Sequence, residues 1–234
     1  MNLLQIPFSH NCIKVRKALV FKGVPHTTED ISPMNRTRVR SASGQGLVPV
    51  LLDGPRAVCD STAILMYVEA RHPSPPLLPS SPKERIECMV LEDWVDAAFM
   101  ALTRRLAYWK ALATPGALED LFLPGVSGLK RRVVGAIARR AVRRRFRISE
   151  TQNRRDMSEI RRVTTLAVDR LGAGRFLVGD ALSVADLALA ALTAPLWAAD
   201  PRVREHDAVR ELLHWGDGIL GREFLSYYRS TSPS

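Results

Sequence analysis

A proline-rich stretch from residue 73 to residue 82 separates two kinds of sequence pattern in this chain of 234 residues. Before the stretch, short apolar segments alternate with segments of helical periodicity, and after it only helical periodicity recurs. The first pattern predicts a mixed sheet with helices, and the second predicts a helical bundle. We therefore expect an α+β unit over residues 1–73, a linker over 74–82 and an all-helical unit over 83–234.

The α+β unit has the predicted element order βαβαββα. Its first strand ends at Pro7, which has no N–H for a sheet ladder, and its first helix ends at Gly23. The turn Asp53-Gly54 separates two short apolar runs and predicts a hairpin. The strands are expected at 2–6, 26–31, 47–52 and 56–59, and the helices at 12–20, 35–43 and 62–71.

The second unit is predicted to consist of helices joined by loops. Ser183 and Asp186 have the spacing of a capping box, in which each side chain satisfies the other's backbone N–H. Residues 113–129 contain two prolines and three glycines and are expected to form a loop insert. The helices are expected at 86–112, 130–146, 156–171, 183–196 and 203–220.

The net charge of +10 comes almost wholly from arginine. Such a charge is compatible with a nucleic acid, an anionic lipid surface or an acidic ligand as partner. No aromatic-interleaved or zinc-supported element accompanies it, which argues against nucleic acid. Three cysteines without ligand spacing predict neither disulfides nor a metal site. Because no run approaches about 18 apolar residues and no apolar leader is apparent, a soluble, cytoplasmic protein is expected.

Much of the charge lies in residues 130–147, which have the pattern of a basic amphipathic helix. Such a helix can lie on an anionic membrane or bind an acidic protein. The alternative is a bundle helix whose arginines face solvent while its apolar face is covered. That apolar face is expected to comprise Val133, Val134, Ile137, Ala138, Ala141, Val142 and Phe146.

The turn between the first strand and the first helix is the expected reactive position. Ser9 stands at the N-terminus of the helix, where N–H groups and the helix dipole stabilise an anion. Its hydroxyl can stabilise the thiolate of a bound thiol, so the nucleophile can belong to a ligand. The alternative is that Ser9 only caps the helix. His10 and His26 have no partner for a catalytic triad and are expected in solvated loops.

Two further segments are expected to hold a ligand beside Ser9. Val48-Pro49 enters a strand after a glycine-rich turn, and the backbone before a cis proline can pair with an extended peptide. Asp60-Ser61 precedes a helix, where Asp60 suits an ammonium group and Ser61 suits a carboxylate. The alternative for this pair is a simple N-cap.

Four motifs together resemble the cytosolic glutathione transferase superfamily. They are SHNCIKVRKAL, GLVPVLLDG and CDSTAILMYVEARHP in the first unit and VGDALSVADLALAAL in the second. The resemblance does not extend to residues 113–155. It implies a thioredoxin-like fold for the first unit, glutathione as co-substrate without a metal, and a homodimer.

The resemblance also implies roles for individual residues. Ser9 matches the catalytic position, and Val48 before Pro49 matches the residue that pairs with the cysteinyl backbone of glutathione. Asp60 and Ser61 match the pair that holds its γ-glutamyl end.

Two positions are less settled by the resemblance. Arg36 matches the basic residue that reaches the glycyl carboxylate, although Arg38 or Arg40 can replace it. Members that run thiol exchange have cysteine where this chain has Ser9, and the nearest cysteine is Cys12. A buried, inert Cys12 is expected, and a thiol activated by the helix dipole is the alternative.

The implied activity is attack by the glutathione thiolate on a hydrophobic electrophile. Conjugation, isomerisation and deglutathionylation share this first step. Phe99, Tyr108 and Trp109 are candidates either for the second-substrate pocket or for the core. The rival hypothesis is a non-catalytic scaffold that binds an acidic partner or an anionic membrane through residues 130–147.

Overall fold

The computed structural model describes residues 1–230 and confirms the predicted fold class. The first elements are β1 (Asn2–Gln5), α1 (His10–Phe21), β2 (Thr27–Asp30), α2 (Thr37–Ser43), β3 (Val50–Asp53), β4 (Arg56–Cys59) and α3 (Ser61–Arg71). This βαβαββα order is that of a thioredoxin-like unit. Residues 231–234, part of the predicted helical unit, lie outside the described residues.

The described elements after α3 are all helical. They are α4 (Pro82–Ala113), α5 (Ala117–Phe122), α6 (Gly128–Arg145), α7 (Glu150–Leu171), α8 (Val184–Thr193), a 3-10 helix (Ala194–Ala198), α9 (Pro201–Arg204), α10 (Asp207–Leu220) and α11 (Arg222–Ser230). None of the helices within residues 1–230 is long and apolar enough to cross a membrane.

The strands form one sheet in the order β2-β1-β3-β4. β1 runs parallel to β2 and antiparallel to β3, and β3 and β4 form the predicted hairpin. Gly54 has a φ of 58° in its turn, a conformation that glycine adopts without steric cost. Val50 lies opposite both Leu4 and Cys59. The residues just before β3 therefore adjoin the turn after β1 and the start of α3.

Helix α8 lies at the centre of the helical part. Every residue from Val184 to Thr193 is buried, and the helix contacts α1, α4 and α10. The predicted capping box is present, because Ser183 Oγ accepts from the Asp186 N–H and the Asp186 carboxylate accepts from the Ser183 N–H. Since α8 is apolar on nearly all sides, only a central position satisfies it.

A buried polar network connects α1 to α4. Lys14 Nζ lies 2.7 Å from Glu92 Oε1 and 3.2 Å from Asp96 Oδ1. The Thr62 hydroxyl donates to the same Glu92 oxygen at 2.6 Å. The side chains of Lys14 and Glu92 are both 0% exposed. Opposite charges thus meet where the first helix packs on the helical part.

Three sequence-based expectations for the helical part are wrong. Residues 113–129 do not form only a loop, because Leu118 and Phe122 are buried and hold α5 against its neighbours. The segment 203–220 is divided into α9 and α10. Helix α11 was not expected, although it buries Phe224 and Leu225.

Helix α6 buries only part of its predicted apolar face. Ala138 and Val142 are buried, whereas Val133 and Ile137 are 52% and 58% exposed. Ala141 is exposed as well. The expectation of a fully covered face is wrong, because α6 packs on α5 along one side and faces solvent along the other.

Candidate functional site

A cleft of about 770 Å³ lies between the sheet end and the helices. Its walls come from the β1–α1 turn, the segment around α2 and before β3, the helices α4, α5 and α6, the 3-10 helix and α11. The volume is in the usual range for a small-molecule site. Of the sequence-predicted site residues, Ser9, Arg36 and Val48 line it.

Ser9 occupies the N-cap position of α1 but makes no side-chain capping bond. Its backbone is fully used, since its N–H donates to the Ile6 carbonyl at 2.9 Å and its carbonyl accepts from Ile13 at 2.9 Å. Its side chain lines the cleft. The hydroxyl interacts with the buried Cys12 thiol and also faces the cleft at a helix N-terminus, where negative charge is stabilised.

The segment before β3 forms a second part of the site. The Val48–Pro49 peptide bond is cis. Val48 lines the cleft, whereas Pro49 is buried and does not belong to its lining.

Arginines of α2 lie on the same side of the cleft. Arg36 lines it, burial lowers the pKa of its guanidinium, and its Nη1 is buried without a partner among the described residues. Arg40 also lines the cleft. Arg38 instead donates to Glu29 at 3.0 Å, outside the cleft lining. The structure thus keeps Arg40, but not Arg38, as the alternative to Arg36.

The Asp60-Ser61 pair directly follows β4, which pairs with β3, and does not belong to the cleft lining. The Asp60 carboxylate caps α3 by accepting from Thr62 and Ala63 at 2.9 and 3.1 Å, and Asp60 has a φ of 75°. The capping interpretation is therefore confirmed for Asp60. Ser61 is 2% exposed, and its hydroxyl has no partner among the described residues. The capping interpretation leaves this buried hydroxyl unexplained.

Cys12 has the properties of a buried, inert thiol. It is 0% exposed, and burial raises the pKa of its thiol to about 11. Hydrogen bonding from the Ile6 N–H and the Ser9 side chain opposes this shift without cancelling it. The dipole-activated alternative is not favoured by this geometry.

His10 is buried in the site and not in a solvated loop, so the expectation for it is wrong. It is 4% exposed, and its Nε2 lies 3.2 Å from Arg104 Nη2. Burial, followed by the charges of Arg104 and Lys14, lowers the pKa of His10 well below its usual value. The ring is therefore neutral near pH 7 and accepts from Arg104.

Helix α4 contributes more to the cleft than the aromatic residues that were expected there. Met100, Arg104, Tyr108 and Ala111 line the cleft at helical spacing, a pattern that was visible in the sequence. Of the aromatic candidates, Phe99 is buried core and Trp109 packs outside the cleft lining. Within residues 1–230, no group of His, Cys, Asp and Glu is arranged to hold a metal ion.

Known proteins resemble this chain mainly in its first part. Residues 3–76 match the family described as Glutathione S-transferase, N-terminal domain. A probable glutathione S-transferase, parA, from Nicotiana tabacum is 30% identical over 97 residues, which cover 40% of this chain and 44% of that protein. The chain spans about a third to a half of the length of the curated relatives it matches.

Solved structures extend the similarity to the whole fold. A glutathione S-transferase from Rhodospirillum rubrum F11 has a TM-score of 0.70 at 22% identity and covers 100% of this chain and 93% of its own. A glutathione S-transferase from Methylobacterium radiotolerans, in complex with glutathione sulfonate, has a TM-score of 0.61 at 23% identity, covering 100% and 95%. Residues 3–76 are thus similar in sequence to the N-terminal domain of the glutathione S-transferases, and the whole chain has the fold of solved glutathione S-transferases.

Proposed function

We propose that the protein is a glutathione transferase in which Ser9 holds bound glutathione as its thiolate. The observation that carries the proposal is that Ser9 lines the cleft at the N-terminus of α1 while its hydroxyl makes no capping bond. A hydroxyl at this position can donate to a sulfur anion, and the helix dipole favours the same anion. The thiol would therefore be ionised nearer neutral pH.

Two unpartnered polar groups support a placement of the tripeptide. In this proposal the γ-glutamyl carboxylate accepts from Ser61, and its ammonium lies at Asp60. The cysteinyl backbone pairs with Val48, and the glycyl carboxylate binds Arg36. Both the Ser61 hydroxyl and Arg36 Nη1 are buried without a partner among the described residues, so each would gain a hydrogen bond that the chain itself does not provide.

The proposed reaction exchanges one bond for another. The thiol proton leaves to solvent, the thiolate sulfur bonds to an electrophilic carbon, and the leaving group departs with its electron pair. With a chlorodinitrobenzene, the products are the S-aryl glutathione, chloride and a proton. Isomerisation and deglutathionylation would start from the same thiolate.

The Ser9→Ala variant tests the catalytic role. It should lower kcat/KM for chlorodinitrobenzene by about 10- to 100-fold, because a hydrogen bond to a charged group contributes about 1.5–3 kcal/mol. The pKa of the bound thiol should rise, so part of the rate should return at alkaline pH. Ser127→Ala is the matched control, since Ser127 also occupies an N-cap without a side-chain bond but does not line the cleft. Equal rates in Ser9→Ala and wild type would contradict the proposal.

Calorimetric titration with reduced glutathione tests binding separately. Ser61→Ala should weaken binding by about 10-fold, because a charge-assisted hydrogen bond is lost. Wild-type protein that binds no glutathione would exclude the transferase function. The scaffold hypothesis predicts instead salt-sensitive binding to anionic vesicles through residues 130–147, without turnover.

Other expectations from the sequence remain predictions. They are a homodimer, a cytoplasmic location, a hydrophobic electrophile as second substrate, and unit boundaries at 1–73 and 83–234. Ile86 and Val90 on the outer side of α4 are 66% and 60% exposed and offer apolar surface to a second copy.

A further inference from the structure

Cationic side chains surround the cleft that contains Ser9. Among the described residues, no Asp or Glu belongs to its lining. The cations that line it are Arg36, Arg40, Arg104, Lys110 and Arg145. A cleft lined by one sign of charge concentrates ligands of the opposite sign.

These cations are not neutralised by the described part of the chain. No salt bridge found there involves any of them. Arg105, the next residue after Arg104, donates to Asp156 at 2.7 and 2.6 Å, and Arg139 on α6 pairs with Glu119. Neither Arg105 nor Arg139 lines the cleft. Arg105 and Arg139 are thus compensated by carboxylates, whereas the arginines that line the cleft make no salt bridge with any described residue.

The cleft arginines also act on one another. Burial lowers the pKa of Arg104, and the charge of Arg145 lowers it further. Burial likewise lowers the pKa of Arg36, to which Arg145 and Arg40 contribute. A partly buried cation with other cations close to it is unfavourable until an anion lies between them. The cleft is therefore expected to favour negatively charged ligands.

Glutathione, as placed above, accounts for one side of the cleft. Arg36 and Arg40 belong to the α2 side, where the glycyl carboxylate is proposed to bind. Arg104 on α4 and Arg145 at the end of α6 belong to the helical side. The proposed placement assigns neither glutathione carboxylate to that side, so these two charges remain for the second substrate.

Aromatic rings accompany the two helical-side arginines. The guanidinium carbons of Arg104 and Arg145 lie 5.5 and 5.8 Å from the ring centroid of Phe146. Tyr108 lies 5.1 Å from Phe146 and 6.0 Å from Phe122, measured between ring centroids. All three rings line the cleft. Aromatic rings with cations close to them complement a flat ring that carries an anionic group.

We propose that the second substrate is an aromatic carboxylic acid, with its ring against Tyr108 and Phe146 and its carboxylate on Arg104 and Arg145. This inference rests on the proposed transferase function and specifies that the electrophilic second substrate is negatively charged. A guanidinium group matches the two oxygens of a carboxylate. In the reaction, the thiolate sulfur bonds to a ring carbon, the leaving group departs with its electron pair, and the carboxylate is unchanged.

A matched pair of electrophiles tests the inference. A chloronitrobenzoate and the corresponding chloronitrobenzamide share ring and leaving group and differ in charge. In the wild type, kcat/KM relative to the uncatalysed rate constant should be about 10-fold higher for the acid. Arg104→Gln and Arg145→Gln should each reduce this acid-to-amide ratio severalfold or more. Arg143→Gln should leave it unchanged, because Arg143 is exposed on α6 outside the cleft lining yet carries the same charge.

The outcomes separate this inference from the transferase proposal. A ratio near one in the wild type, or an unchanged ratio in both cleft variants, overturns the inference while turnover stands. If neither electrophile reacts, calorimetric titration with nitrobenzoate decides. Binding that Arg104→Gln or Arg145→Gln weakens supports the anion site although transfer fails, and no binding overturns it. Arg145 is exposed, so its variant keeps the test valid if Arg104→Gln does not fold.

Discussion

Two enclosed positive charges, Lys14 between α1 and α4 and Arg104 in the cleft, differ in whether a carboxylate compensates them. Between α1 and α4, Lys14 is completely buried and contacts the carboxylates of Glu92 and Asp96. In the cleft, Arg104 contacts the neutral ring of His10 and makes no salt bridge with any described residue. The first charge is compensated within the chain, and the second is not.

The contrast separates a structural charge from a binding charge. A compensated buried ion pair fixes how two elements pack, because removing either partner leaves the other charge buried without a counter-charge. A desolvated charge that lines an open cleft can be compensated only by what enters the cleft. On this view, the α1–α4 network positions the N-terminus of α1, and the cleft arginines select the ligand that reaches it.

Lys14→Met gives the largest effect that this comparison predicts. The free energy of unfolding should fall by about 3–5 kcal/mol, because Glu92 is left buried without its cation. Urea unfolding measures the change, and Lys83→Met is the control because Lys83 is exposed. The double variant Lys14→Met with Glu92→Leu should recover part of the loss. A loss below about 1 kcal/mol would show that the network does not hold α1 on α4.

The second effect is a pH dependence at His10. Its folded pKa lies well below 6.5, first through burial and then through Arg104 and Lys14. The unfolded chain takes up this proton near pH 6.5, so the stability due to a neutral His10 is complete above that pH and lost as the pH falls toward the folded pKa. Below pH 6.5, the free energy of unfolding of the wild type should fall more steeply than that of His10→Gln. The difference should be up to about 1.4 kcal/mol per pH unit.

Urea unfolding at several pH values between neutral and mildly acidic conditions measures this difference in slope. His26→Gln is the matched control, because His26 is half-buried at the other end of α1 and has no arginine contact among its described hydrogen bonds. Identical slopes for the wild type and His10→Gln would contradict the claim that folding lowers the pKa of His10.

Arg104→Met gives the smallest expected effect on stability and the sharpest contrast with Lys14→Met. The free energy of unfolding should change by less than about 1 kcal/mol, because the lost hydrogen bond to His10 is offset by the removal of an enclosed, uncompensated charge. The same urea experiment measures it. A loss as large as that of Lys14→Met would mean that Arg104 is a structural charge, and the comparison would fail.

Most of the fold was predictable from local patterns. Pro7 and Gly54 mark a strand end and a hairpin turn, and the capping box at Ser183 marks a helix start, because each acts on the backbone within a few residues. Helix α5 was missed because six residues with Leu118 and Phe122 give too few turns for a clear period. Its stability comes from packing on α4 and α6.

Only the part of the candidate site that comes from the α+β unit was predicted from the sequence. Ser9, Val48 and Asp60-Ser61 stand at element boundaries that the sequence marks. Arg104 and His10 lie 94 residues apart along the chain, and no local pattern relates them. The helical spacing of the cleft-lining residues on α4 indicates that they share one face of the helix. It does not indicate that this face lies opposite the end of the sheet.

Local patterns in the amino-acid sequence were sufficient to predict the order of strands and helices, the helix N-terminus at Ser9 and the superfamily that these motifs resemble. These follow from short-range backbone preferences and hydrophobic periodicity. Which polar groups find partners among the described residues depends instead on the three-dimensional packing. It pairs Arg105 and Lys14 with carboxylates and leaves Arg104 and the Ser61 hydroxyl without such partners among residues 1–230. Pairing depends on distances between residues remote in sequence, which folding alone establishes.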